Sequence, residues 1–234
     1  MENAPLEDVI ASLSMFSGLS VAGHGTATDA AVVQWANKGS VLFEQGAPPN
    51  FLVVVLDGTV HLLGRSIQGQ EMVIEVVEAP GPLLPAAVVS GAPYLMRARC
   101  IEDVRVLMIK ADVFRDLLAS EPSLALSTID CLSTQFRSMV RQIKTLKLRP
   151  GPQRVAAYLI ELTRRQSNKA TVNLPFEKGL IASQLGMTRE SFSRILATLQ
   201  RDMIQMDGQV IHIRDRDALE ELSAPDPLID GPTM

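Results

Sequence analysis

Residues Glu121 to Leu148 read EPSLALSTIDCLSTQFRSMVRQIKTLKL. A walk from Ala125 in alternating steps of four and three lands on Ile129, Leu132, Phe136, Met139, Ile143 and Leu146, all apolar, over three heptads. That is the narrow seam of a coiled coil, not the broader stripe a helix turns toward its own globule. Pro122 sits where a first turn tolerates proline, and Pro150 with Gly151 is expected to end the helix. Arg137, Arg141, Lys144 and Lys147 take outward positions. A seam this narrow is best buried against its own copy. The stretch therefore predicts a parallel two-fold dimer, with Ile129, Leu132, Phe136, Met139, Ile143 and Leu146 at the interface. The alternative is an ordinary core helix of one subunit.

The 234 residues leave room for one large or two modest domains, and a hydrophobic content of 47% is ordinary for a soluble chain. No apolar run reaches the length of a membrane span, and the first residues lack the basic start and apolar core of a signal peptide. Two cysteines, Cys100 and Cys131, are too few for a four-cysteine zinc or iron–sulfur site and read as small apolar residues of a reducing cytoplasm. The net charge of −4 hides a segregation. Residues 1–133 carry 7 Lys and Arg against 15 Asp and Glu, residues 134–216 carry 15 against 6, and the last 18 residues add five carboxylates. A basic segment on an otherwise acidic chain is the footprint of a nucleic-acid-binding domain.

Residues 1 to about 35 give weak helical signals anchored by Phe16 and Leu19. Short apolar runs then follow at near-regular spacing: Val41–Phe43, Phe51–Leu56, Thr59–Leu63, Met72–Val77 and Val104–Ile109. Turn residues separate them, among them Lys38-Gly39, Asp57-Gly58, Gln68-Gly69, Pro80-Gly81-Pro82 and Ser90-Gly91. This texture predicts an all-β barrel or roll. An amphipathic helix over about 110–119 leads into the spine helix.

The string Gly39 to Gly46, with Phe51–Val55 and Asp57-Gly58-Thr59-Val60, resembles the cyclic-nucleotide-binding β-roll. A β-roll, a long dimer helix and a basic C-terminal domain, in that order, resemble the bacterial CRP/FNR family of transcription regulators over residues 12 to about 215. The resemblance implies an α+β architecture: a double-stranded β-roll sensor over 1–120, a coiled-coil dimerisation helix over 121–149, a winged helix-turn-helix over 150–222 and a flexible tail over 223–234.

The ligand chemistry departs from the family's cyclic-AMP pattern. Where cyclic-AMP binders resemble one another in a Gly-Glu pair for the ribose and an Arg-Ser or Arg-Thr pair for the phosphate, this chain has Leu84-Pro85 and Tyr94-Leu95. The polar pair that would read adenine becomes Met139-Val140. A buried phosphate needs a cation and donors, so these apolar replacements argue against cyclic AMP. Arg97 and Arg99 stand near as a shifted substitute. The candidate effector pocket is therefore Leu84, Tyr94, Leu95, Arg97, Met139 and Val140, with the effector open. Haem stays possible, with His24, His61, Cys100 or a methionine as axial ligand.

Beyond the spine, Gln153 to Arg165 predicts an amphipathic helix and Thr171-Val172-Asn173-Leu174-Pro175 a short strand ended by proline. Gly179–Leu185 predicts a helix, Gly186-Met187 a tight turn and Thr188–Leu199 a second helix with Thr188 as N-cap. Phe192, Ile195, Leu196 and Leu199 share one face of that helix. Arg189, Glu190, Ser193 and Arg194 share the other, and Glu190 with Arg194, four apart, can brace one another. The string resembles the helix-turn-helix of the CRP branch in Arg189, Glu190 and Arg194, and the FNR branch in Ser193. By that resemblance Arg189 and Arg194 each reach a guanine and Glu190 a cytosine, in a half-site of the TGTGA or TTGAC kind. Lys178 is a candidate phosphate contact, although Phe176 to Gly179 departs from the threonine cap and arginine of relatives. Met203 to Ile213, hinged on Asp207-Gly208, predicts the wing hairpin.

The resemblance implies a cytoplasmic homodimeric regulator with double-stranded DNA, a second copy and RNA polymerase as partners, and no membrane. Three histidines in three unrelated elements, without a nucleophile motif or metal-ligand spacing, offer no catalytic constellation. Two alternatives stand beside it: a haem-based CO or NO sensor of the same fold, and a cyclic-nucleotide-binding regulatory protein acting on a protein partner.

Overall fold

The apolar run Phe51-Leu52-Val53-Val54-Val55-Leu56 has no polar alternation because its strand is buried on both faces. In the computed structural model, which describes residues 5–69 and 71–230, β-strands β1 (Ala31–Ala36), β2 (Val41–Phe43) and β3 (Phe51–Asp57) open the roll. β4 (Thr59–Arg65), β5 (Glu71–Glu78), β6 (Gly81–Leu83), β7 (Arg97–Cys100) and β8 (Val104–Lys110) complete it. They form two antiparallel sheets of order β1-β8-β3-β6 and β2-β7-β4-β5. Val53 and Val55 point between the sheets with Val60, Leu62, Leu83, Val104 and Val106. Leu52 and Val54, one residue out of phase, point the other way with Leu107 and Ile109.

That second face is covered by helices. α1 (Leu6–Ser12) and the 3-10 turn Ser14–Phe16 supply Ile10 and Phe16, and α2 (Val21–Asp29) supplies Ala27. α3 (Pro85–Ser90) supplies Val88, α4 (Ala111–Ser120) Phe114, and the first turn of α5 (Pro122–Leu148) Leu124. Phe16 meets Phe114 edge to face with ring centroids 6.3 Å apart, a geometry favoured by the ring quadrupoles. The expected anchors Phe16 and Leu19 are both buried.

Sequence reasoning missed β1, β6 and β7, and assigned the start of β1, from Ala31, to the weakly helical segment that ends at about residue 35. β6 is three residues long with proline at its centre, and β7 reads Arg-Ala-Arg-Cys, too short and too charged to register as a strand.

Contacts divide the chain inside α5, between Gln135 and Phe136. In the second unit α6 (Gly151–Arg165) buries Val155, Ala156, Leu159, Ile160 and Leu162. A sheet of order β10-β11-β9 joins β9 (Thr171–Asn173), β10 (Ile204–Asp207) and β11 (Val210–Ile213). α7 (Lys178–Gln184), α8 (Arg189–Leu199) and α9 (Arg216–Ser223) complete its core through Ile181, Phe192, Leu196 and Leu219.

Two boundary expectations are corrected. Gly151 does not end the spine helix but opens α6, because Pro150 already interrupts α5 and Pro152 suits the first turn of the next helix. The tail expected to be flexible from Ser223 is held as far as Asp230. Ser223 is buried at the end of α9, and a single turn, α10 (Pro227–Asp230), follows. The polar composition of this segment concealed the fixed charges that bind it.

Candidate nucleic-acid interface

The two helices of the basic unit meet at a turn that only glycine fits. Gly186 has φ 61°, and a Cβ there would lie 2.7 Å from Leu146 Cδ2, so a side chain would meet both backbone strain and a clash. Leu146, expected at the dimer seam, thus also packs against the helix-turn-helix. Met187 N–H donates to Ala182 O (3.0 Å) and closes the turn.

Thr188 then caps α8 as expected, its Oγ1 accepting from Ser191 N–H at 3.2 Å. The helix is cleanly two-faced. Phe192, Leu196 and Leu199 are buried, while Arg189, Glu190, Ser193 and Arg194 are exposed. The spacing of these four puts them on one side of the first turn and a half. The expected brace between Glu190 and Arg194 is not formed. Arg194 instead donates from Nη2 to Ser191 Oγ (3.3 Å), since Ser191 lies three residues back on the same helix edge. Glu190 is held below the usual carboxylate range, first by the backbone N–H of its own residue and the Thr188 side chain, then by Arg189 and Arg194. The surface therefore offers two guanidinium forks flanking an ionised carboxylate. Such groups can donate to guanine O6 and N7 and accept from cytosine N4. Lys178 is the first residue of α7 and half-buried.

The wing hairpin forms one residue later than the Asp-Gly pair suggested. Asp207 is still paired with Val210, and Gly208-Gln209 makes the turn with Gly208 at φ 61°. Positive φ at the first turn position is what a two-residue hairpin of the II′ kind requires. His212 is an exposed strand residue beside Thr171 Oγ1 (3.4 Å).

The seam residues of the spine helix are uncovered within one chain. Ile129 is 58% exposed, Phe136 65%, Met139 55% and Ile143 46%, while Leu132 is half-buried. The reading of an ordinary core helix of one subunit does not fit this exposure.

Of the candidate effector residues, Leu84, Tyr94, Leu95 and Arg97 belong to the first unit, Met139 and Val140 to the second. Tyr94 is buried in the roll: its ring stacks on Phe43 (centroids 3.8 Å, interplanar 14°) and its hydroxyl donates to Phe51 O (2.9 Å). Burial pushes its pKa up to about 12. Leu84 is half-buried with φ 46°, and Leu95 is 82% exposed. Arg97 is paired with Glu44 (2.7 Å) and Glu71 (2.6 Å), and Arg99 lies 3.6 Å from Glu71. The cations that would have to hold a phosphate are thus already matched by carboxylates, which sequence spacing could not reveal. Met139 and Val140 are exposed residues of the second unit. A cavity of about 430 Å³ in the first unit lies between Val9, Leu13 and Phe16 and the strand residues Val54 and Leu56. His61, considered as a haem ligand, is buried in β4 opposite Arg99 and Val76. His24 is half-buried in α2, and Cys100 is buried between the sheets.

Comparison with known proteins gives both units relatives. A cyclic nucleotide-binding domain matches residues 33–121, and a Crp-like helix-turn-helix domain matches residues 153–222. The chain is 29% identical over 191 residues to the anaerobic regulatory protein of Pasteurella multocida, covering 80% of this chain and 70% of that protein. It is 26% identical over 191 residues to the fumarate and nitrate reduction regulatory protein of Escherichia coli, covering 80% and 76%. Among solved structures, FixK2 from Bradyrhizobium japonicum shares the fold with a TM-score of 0.70 at 21% identity, covering 84% of this chain and 98% of that one.

Proposed function

We infer, for a chain that belongs to the CRP/FNR family of transcription regulators, a homodimer that binds double-stranded DNA at a palindrome and regulates transcription there. The observation that carries this reading is the division of α8, with Phe192, Leu196 and Leu199 buried and Arg189, Glu190, Ser193 and Arg194 exposed. The N-terminal turns of a recognition helix meet base edges in the major groove, and two-fold related helices reach half-sites about 34 Å apart. The exposed seam of α5 supports the dimer, since a second copy at that register would cover its apolar face. Double-stranded DNA and RNA polymerase are the partners of such a regulator, and the cytoplasm is its compartment. Among the described residues no helix is long and apolar enough to cross a membrane.

The roll is read as a sensor for an effector other than cyclic AMP. Two observations support this: Tyr94, to which the resemblance gives the place of the phosphate cation, is stacked on Phe43, and Arg97 is matched by Glu44 and Glu71. An effector would act by shifting an existing equilibrium at the junction of residues 148–151.

The test is selection of bound duplexes from a random pool, followed by affinity measurements at several salt concentrations. A palindrome with TGTGA- or TTGAC-like halves is expected. Binding that is equal on all sequences would refute the reading of Arg189, Glu190 and Arg194 as base contacts.

A further inference from the structure

Residues 224–230 run back across the end of the spine helix, and charge holds them there. After α9 the backbone turns at Ala224 (φ 46°) and α10 follows. Arg149, in the short link between α5 and α6, is 6% exposed. Its guanidinium grips the Asp230 carboxylate with both nitrogens, Nη1 to Oδ1 at 2.9 Å and Nη2 to Oδ2, and Nη2 also donates to Ala224 O (3.1 Å). A buried arginine requires such a partner, and the two-pronged pair is the geometry a guanidinium fork favours.

The neighbouring contacts join the same three elements. Lys144 of α5 lies 3.4 Å from Asp226. Arg164 of α6 donates to Asp230 O (3.3 Å). The strap is internally ordered, since Asp226 N–H donates to Asp230 Oδ2 and Leu228 N–H to Asp226 Oδ1, each at 2.8 Å. It walls one side of a cavity of about 360 Å³ whose other walls include Arg141, Tyr158 and Arg165. Two acidic residues of the strap therefore meet cations from both helices that flank the junction.

We propose that residues 224–230 are an acidic strap that binds in cis to Lys144, Arg149 and Arg164 and holds the α5–α6 junction in one arrangement. The functional consequence rests on the DNA-binding reading above. Two recognition helices engage two half-sites together only if each junction is fixed, so a released strap costs cognate affinity. Release also deprives Lys144 and Arg149 of their carboxylate partners, which strengthens attraction to any DNA. Both effects lower the preference for cognate over random duplex.

The test compares the full-length protein with Asp230→Asn, Arg149→Gln, the double variant, and a chain ending at Ala224. Hydrogen exchange over residues 146–155 is followed without DNA, and affinity is measured for the selected duplex and for random duplex. Asp230→Asn should speed exchange at the junction and reduce the cognate-to-random ratio on the order of tenfold, a usual size for a coupling of this kind. The double variant should lose no more than the worse single variant, because each removes the same pair. Unchanged exchange in Asp230→Asn, or losses that add in the double variant, would overturn the strap. If Arg149→Gln fails to fold, Asp230→Asn and the shortened chain still decide the matter. If the parent protein shows no sequence preference, the DNA-binding reading fails, while the exchange measurement still judges the strap.

Discussion

The ring of Tyr94 lies parallel to that of Phe43, 3.8 Å between centroids, inside the first unit. The Tyr94 hydroxyl is satisfied as well, donating to Phe51 O at 2.9 Å. The packing has an energetic consequence. Tyr94→Ala should destabilise the first unit by about 3–5 kcal/mol, as for other large aromatic truncations, and Tyr94→Phe by about 1 kcal/mol through the lost hydrogen bond. Denaturant melts measure both. Millimolar cyclic AMP should leave the melting temperature of the parent protein unchanged, and a rise would contradict the sensor reading given above.

Arg189 leads the exposed face of α8. Its replacement by alanine should cost about 1–3 kcal/mol at the selected site and relax preference at one base pair. Binding to a panel of single-base variants checks this. An equal loss on random duplex would reassign Arg189 to a phosphate.

Phe136 and Ile143 stand one heptad apart on the exposed seam, 65% and 46% accessible. A charge placed there faces its own copy across the two-fold axis, so Phe136→Asp should shift native mass spectra from dimer to monomer. In the single chain the side chain is exposed, and monomer stability should change by no more than about 0.5 kcal/mol. A variant that stays dimeric would remove α5 from the interface.

His61 supplies a pH dependence. Burial, and then the Arg99 guanidinium on the neighbouring strand, hold its imidazole below the ordinary 6.5. The folded state therefore binds this proton less readily than the unfolded chain does. Its contribution to stability is complete above pH 6.5 and is lost as pH falls from there toward the folded value. Glu75 acts oppositely: burial raises its carboxyl above 4.5, so stability is gained as pH falls through its folded value. Melts of the first unit between pH 7.5 and 5.5 should therefore decline, and His61→Gln should flatten the slope. A slope unchanged by that substitution would assign the dependence to another group.

Much of this molecule was legible because its signals are local. The heptad of α5, the two faces of α8, the Thr188 cap and five of the eight roll strands each follow from periodicity or from one turn residue. The wing hairpin was found but placed one residue early, because Asp-Gly is read as the turn pair whereas here Asp207 still pairs with Val210. β7 and β1 were missed because their strand character comes from their neighbours: Val41 and His61 both register against Arg99, and Ala31 to Ala36 pair along β8. The surroundings of the expected effector residues were hidden for a related reason. Alignment can say which residue replaces an arginine, but not that Tyr94 turns inward onto Phe43 or that Leu95 turns out.

The amino-acid sequence by itself determined the spine helix, the helix-turn-helix, five of the roll strands, the segregation of charge, and which side of α8 is polar, because these depend on spacings of two to four residues. Tertiary structure alone decided the partners of the charges. Arg97 finds Glu44 and Glu71, and Arg149 finds Asp230, 81 positions away. An ion pair is a relationship of distance and burial, and neither exists until the chain between its members has folded.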